Sequence, residues 1–215
     1  MFKKKEKIVL SSMGKNSGEE KKVEQKIRII SDEELNLRAQ GLKEIRDIFN
    51  KLEVPYYVEG GALLGFIRDG DFIRWDPDVD IDLKSEYIYP KREILKSALE
   101  NAGFEIVKYY PNKVNFKICV RKYGTKYDIA GYYKFGKMRY RKMSFYPDAF
   151  IKNQSEIVLR GEKFKSVGLP EKYLEWFYGD YKTPIKSVIP ESYVTTKSRT
   201  SIFMYAFLKV ISWFY

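Results

Sequence analysis

Asp78, Asp80 and Asp82 alternate with Val79, Ile81 and Leu83, the pattern of a strand with one acidic and one apolar face. At about 3.3 Å per residue, neighbouring carboxylates on that face start about 6–7 Å apart. Aspartate is a poor strand former. Crowding several together adds repulsion, about 4 kcal/mol for two charges about 4 Å apart at an effective dielectric of about 20. A divalent cation would remove that conflict. An all-oxygen ligand set favours Mg2+, with Mn2+ as its substitute, shared with a substrate phosphate. A calcium loop is ruled out by spacing. Counted from Asp76, the sixth position is Ile81 where a glycine is needed, and the twelfth is Tyr87 where a glutamate is needed.

The elements around this strand suit the same chemistry. Tyr56–Val58 reads as a short strand, Glu59-Gly60-Gly61 as a tight turn, and 62–68 as a short helix closed by Gly70. Glycines at a helix N-terminus let phosphate oxygens approach backbone N–H groups, so Gly60 and Gly61 are candidates for a phosphate cradle.

Composition narrows the alternatives. Histidine is absent, which excludes Ser-His and Cys-His nucleophiles and every His-ligated zinc site. Cys119 is the only cysteine, in the apolar run VNFKICV, and is expected in the core. Acid–base and metal chemistry therefore fall to carboxylates. The formal net charge of +11 points to an anionic partner: nucleotide phosphate, polyanionic glycan, membrane surface or nucleic acid.

The rest of the chain supplies a frame. Residues 1–30 read as a basic, mobile N-terminal arm. Ser31 with Glu34 forms a capping-box pattern, and Leu35, Leu42, Ile45, Phe49 and Leu52 recur at helical spacing over 32–53. Pro90 suits the first turn of a helix whose stripe is Ile94, Leu95, Ala98 and Leu99, stopped by Gly103. Runs at 104–110, 114–121 and 126–133 predict an antiparallel meander, and 155–160 with 162–166 a hairpin turning at Gly161. Pro170 opens a short helix that Gly179 ends. The basic segment KFGKMRYRK, residues 134–142, reads either as a cradle for an anionic ligand or as an exposed strand. The aromatic tail within 186–215 either docks as a last core helix or lies in a membrane interface. No apolar stretch is long enough to span a bilayer, which predicts a cytoplasmic protein, peripheral at the inner membrane face if the tail binds lipid.

The stretch GGALLGFIRDGDFIRWDPDVDIDL resembles the signature of the LicD/fukutin-type phosphotransferases, a branch of the nucleotidyltransferase superfamily. Gly61, Leu63, Leu64, Gly65, Arg68 and Gly70 match its first half, and Trp75, Asp76, Asp78 and Asp80 its second. Tyr127-Asp128-Ile129 resembles the family's later strand, and VGLPEKYLEWFYGDYKTP its closing element. The resemblance implies an α+β fold with a nucleotidyltransferase-like mixed sheet and flanking helices over 31–185. It also implies transfer of a substituted phosphate (phosphocholine, phosphoglycerol or ribitol phosphate) from a CDP-alcohol donor to a glycan or lipid-linked glycan hydroxyl. By the same resemblance Asp78 and Asp80 are the metal pair, and Asp82 is a further metal candidate on the same face. Asp128 is the third carboxylate, completing the metal site or taking the acceptor proton. Arg68 meets the donor phosphates, or pairs with Asp76 or Asp78. Trp75 stacks a ligand or packs on the sheet. Two other readings stand beside this one: transfer of a nucleoside monophosphate, and a catalytically dead polyanion-binding module. Intact aspartates make a nucleic-acid partner the weaker reading.

Overall fold

The first helix begins where the capping box places it. In a computed structural model describing residues 28–185, Thr195, Arg199 and residues 201–211, α1 spans Asp32–Lys51. The Ser31 hydroxyl accepts from the Glu34 N–H at 3.2 Å, and the Glu34 carboxylate accepts from the Ser31 N–H at 3.0 Å. Leu35, Leu42, Ile45 and Phe49 are buried from its apolar stripe. Most of the N-terminal arm and much of the C-terminal segment lie outside the described residues.

The chain continues through β1 (Tyr56–Val58), α2 (Gly60–Asp69), β2 (Asp78–Lys84), the single-turn α3 (Ser85–Ile88) and α4 (Arg92–Asn101). Then come β3 (Glu105–Tyr110), β4 (Lys117–Lys122), β5 (Thr125–Phe135), β6 (Met138–Arg141), β7 (Ser144–Pro147), β8 (Ser155–Leu159) and β9 (Glu162–Ser166). Helices α5 (Pro170–Tyr178) and α6 (Ile202–Ile211) follow. The main sheet runs β3-β4-β5-β2-β1-β9-β8, and β6 and β7 extend from the far end of β5. Strands β2 and β5 are parallel, as are β1 and β9, while the other pairs are antiparallel. This is the expected mixed sheet with flanking helices.

Strand alternation divides the sheet into two faces. Val79, Ile81 and Leu83 pair with Tyr127, Ile129 and Gly131 across β2 and β5. Tyr127 on that face reaches α1, its hydroxyl donating to the Arg38 carbonyl at 2.9 Å. The opposite face carries the aspartates, and α2 lies against it.

Several local expectations shift for identifiable reasons. The expected turn at Glu59–Gly61 is instead the start of α2. Gly60, at φ +59°, makes the corner in the left-handed region. Pro90 sits in a 3₁₀ turn before α4 rather than in its first turn, and Ile94 is exposed, leaving Leu95 and Leu99 as the buried stripe. Strand β4 starts at Lys117 rather than at residue 114. The Asn112 side chain accepts from the Val114 and Asn115 N–H groups at 2.9 and 3.1 Å, which holds that stretch in a turn.

The basic segment 134–142 needs a larger correction. Arg139 is 2% exposed, with its guanidinium 2.6 Å from Asp148 and 2.7 Å from Glu86. It is an internal counter-ion, neither an exposed strand residue nor an anion cradle. The partners arrive from α3 and from the turn after β7, which a local reading of the segment cannot see. In the tail, α6 packs Leu208 against Val114 and Tyr140. Among the described residues, no helix is long and apolar enough to cross a membrane.

Candidate functional site

Parallel pairing of β2 with β5 assembles the site. Asp80 lies opposite Asp128 and Asp78 opposite Lys126, so all four side chains issue from one face of adjacent strands. Lys126 Nζ is 2.7 Å from Asp78 Oδ2 and 3.3 Å from Asp128 Oδ2. Lys117, reaching across from β4, places its Nζ 2.6 Å from the same Asp128 oxygen. The other oxygen of Asp128, Oδ1, is buried without a hydrogen-bond partner.

These pairings fix the charge states. Burial works against ionisation of Asp128, yet the Lys117 hydrogen bond, the adjacent Cys119 thiol and the Lys117 and Lys126 charges hold its carboxyl below the usual range. Burial likewise opposes charge on Lys126, but Asp78 and Asp128 outweigh it and hold the ammonium above its ordinary range. Cys119 is buried beside Asp128, and burial first, then that carboxylate, push its thiol up to about 11. It is no thiolate nucleophile.

Asp80 has no such cation. Enclosure in the protein, then the facing carboxylates of Glu59, Asp78, Asp76 and Asp128, push it well above the carboxylate range. Asp76 is pushed up to about 7, by burial and then by Asp78, with Arg38 opposing. Deeper along the strand, Asp82 is fully buried and neither carboxylate oxygen has a hydrogen-bond partner. Burial and the nearby Glu59 raise it strongly, and Arg141 opposes. Glu59 accepts from the Tyr173 hydroxyl at 2.5 Å, and Tyr57 and Tyr146 join their hydroxyls at 2.5 Å nearby.

The glycine pair has a steric role that its sequence context did not reveal. A Cβ on Gly61 would lie 1.6 Å from Asp76 Oδ2, and one on Gly60 2.7 Å from Asp80 Oδ2. The bare backbone at the start of α2 thus gives the two carboxylates their space. A cavity of about 320 Å³ opens in front of them, lined by Gly61, Arg68, Trp75, Asp76, Asp78 and Asp80. From the chain's closing element, Tyr181 and Thr183 complete its wall. Arg68 lines this cavity but pairs with neither Asp76 nor Asp78. Its guanidinium grips Asp69 through two bonds of 2.9 and 2.7 Å. Trp75 both packs against the core and faces the cavity.

Gly60, Gly61, Asp78, Asp80 and Asp128 are therefore together, with Arg68 at the rim and Asp82 behind them. Glu59, Lys117 and Lys126 were not singled out from sequence. Alternation in Lys126-Tyr127-Asp128 puts Lys126 on the face of Asp128, a usable signal. Lys117 needed the β4–β5 register, and Glu59 had only its place before the glycines. Among the described residues, no three carboxylates converge as a ready-made metal cage. The donor chemistry nonetheless fits a hard divalent cation: oxygen ligands only, one orphaned oxygen on Asp128, and mutual repulsion around Asp80.

An acidic pair on a central strand, a third carboxylate on its parallel neighbour, and a glycine-led helix against them define a nucleotidyltransferase fold. The family model described as LicD/FKTN/FKRP, nucleotidyltransferase domain matches residues 53–174, and the chain belongs to that family of transferases. Among solved structures, the chain is similar to the solution structure of the antibiotic-resistance factor ANT(2'')-Ia, at 14% identity over 82% of this chain and 85% of that one, TM-score 0.49. The crystal structure of ANT(2'')-Ia with adenylyl-2''-tobramycin matches at 14% identity over 80% and 89% of the two chains, TM-score 0.48. A putative nucleotidyltransferase from Thermotoga maritima matches at 19% identity over 68% and 84%, TM-score 0.42. No curated protein sequence matches the chain.

Proposed function

We propose that the protein transfers a substituted phosphate (phosphocholine, phosphoglycerol, ribitol phosphate or a close relative) from a CDP-alcohol to a hydroxyl of a glycan or lipid-linked glycan. The observation that carries this reading is the direct pairing of Asp80 with Asp128, with Asp78 and Asp80 on the wall of a cavity headed by the start of α2. Such transfer needs positioning and charge neutralisation more than a protein nucleophile.

On this reading Asp78, Asp80 and Asp128 would hold Mg2+ or Mn2+, which supplies neutralisation of the donor diphosphate and of the leaving nucleotide phosphate. The chain's own groups do the rest. The first N–H groups of α2, like those of any helix start, lack intrahelical partners and face incoming phosphate oxygens. Arg68 adds charge at the rim when it leaves Asp69. Asp128, kept ionised by its lysines, is the base placed to take the acceptor proton. Trp75 and Tyr181 close the apolar side of the cavity and limit water.

The test is incubation with a panel of CDP-alcohols and magnesium. Release of CMP supports the proposal. The family's nucleotidyltransferase domain also favours a second reading, transfer of a nucleoside monophosphate, and release of pyrophosphate from a nucleoside triphosphate would establish that one instead. Salt-sensitive polyanion binding without turnover of either donor type would identify a binding module.

A further inference from the structure

Away from the cavity, α6 presents an unpartnered apolar stripe. Phe203, Phe207 and Val210 recur at helical spacing and are 84%, 46% and 60% exposed. The Phe207 ring packs edge-on against Phe135 in the β5–β6 turn, centroids 5.5 Å apart, and Phe135 is itself 41% exposed. Four large apolar side chains thus form one outward patch, continued in sequence by Trp213, Phe214 and Tyr215. Leu208, on the other side of the same helix, is buried against Val114 and Tyr140, so the helix is amphipathic in place: one side docked, the other open.

The two segments that carry this patch are basic and contain no acidic residue. Residues 129–147 contain Lys134, Lys137, Arg139, Arg141 and Lys142 and no acidic residue. Residues 192–215 contain Lys197, Arg199 and Lys209 and again none. The fold brings Ser144 and Arg199 together in a bridge, and sets Phe135 against Phe207. Arg139 is consumed internally and Lys134 pairs with Asp148 at 2.9 Å, while Lys137, two residues after Phe135, and Arg199 are exposed; Lys142 is exposed at the other end of β6, 5.9 Å from the centre of the Tyr110 ring.

We propose that the face formed by α6 and the β5–β6 turn seats the protein on an anionic lipid surface. Aromatic and aliphatic side chains projecting from a rim of lysine and arginine match the boundary between acyl chains and acidic headgroups. The proposal is independent of which group is transferred.

Flotation of the full chain with vesicles tests it. Binding is expected to vesicles of phosphatidylcholine mixed with phosphatidylglycerol, and not to phosphatidylcholine alone. Raising salt should weaken it, because the Debye length falls below about 8 Å. The double variant Phe203→Ser, Phe207→Ser should bind at least about tenfold less, and Lys137→Ala about fivefold less. Both change exposed side chains, so unchanged circular dichroism and CMP release would separate lost docking from lost folding. Equal binding by wild type and the double variant overturns the proposal. A concentration-dependent dimer abolished by the same variant, with no vesicle binding, also overturns it and assigns the patch to a second copy. Vesicle binding that appears only after deletion of residues 1–27 overturns it in favour of that segment as the occupant.

Discussion

The acidic face of β2 has two ends, and they are built differently from the same alternating pattern. At the cavity end, Asp78 shares Lys126 with Asp128, Asp128 adds Lys117, and the glycines of α2 leave room for Asp76 and Asp80. At the deep end, Asp82 faces Glu59, which accepts from the Tyr173 hydroxyl, and Arg141 is a cation acting on both acids. The first environment keeps Asp128 ionised and leaves Asp76, Asp78 and Asp80 facing the cavity. The second keeps its acids enclosed and favours a proton on one of the pair. Spacing places a residue on a face, but its neighbours across the strands decide what it can do.

The largest expected effect follows from the cavity end. Asp80→Ala and Asp78→Ala should each lower CMP release by about a thousandfold or more while the fold persists by circular dichroism. Full activity in either folded variant would sink the proposed mechanism. Gly61→Ala comes next, since the new methyl displaces the Asp76 carboxylate. A loss of about ten- to a hundredfold in kcat/KM is expected, as for a misplaced catalytic group, with little change in urea denaturation. The deep end should respond differently. Asp82→Asn replaces an enclosed carboxyl that burial and Glu59 push toward protonation, so activity should fall by less than about tenfold and the denaturation midpoint should barely move. A collapse of activity like that of Asp80→Ala would erase the distinction between the two ends.

The smallest effect is in pH dependence. Asp76 has a folded-state pKa raised to about 7, so its contribution to stability is present below the unfolded value and is lost as pH rises through about 7. Without divalent ions, the melting temperature should decline across that window, and Asp76→Asn should flatten the decline. Millimolar magnesium should restore part of it if the acids bind the ion, because a ligand of the folded state stabilises by mass action. Thermal melts across pH, with and without magnesium, measure all three.

Much of this was legible in the residues. The alternation of Asp78, Asp80 and Asp82 gave the correct face, and Ser31 with Glu34 the correct helix start. The short signature around Gly61 and Asp80 pointed to the family that the chain belongs to. What escaped was long-range. Arg139 looks like surface charge until β6 folds it between Glu86 and Asp148, and Lys117 looks like ordinary polarity until β4 aligns with β5. Gly60 and Gly61 suggested room for a phosphate, and their lack of side chains also makes room for the carboxylates of Asp76 and Asp80, which local sequence did not reveal. Pairwise register between distant segments is not written in local periodicity, and these misses share that cause.

Lys126 has a consequence for folding as well as chemistry. Strands β2 and β5 lie at the centre of the sheet, and on their apolar face Val79, Ile81, Tyr127 and Ile129 offer little to distinguish one alignment from another. A slip of one residue would turn Lys126 to that apolar face and strand it among them. A slip of two would part it from Asp78. The ion pair of Lys126 with Asp78 across the two strands therefore favours the observed register, and the alignment is reinforced by the same residues that form the site.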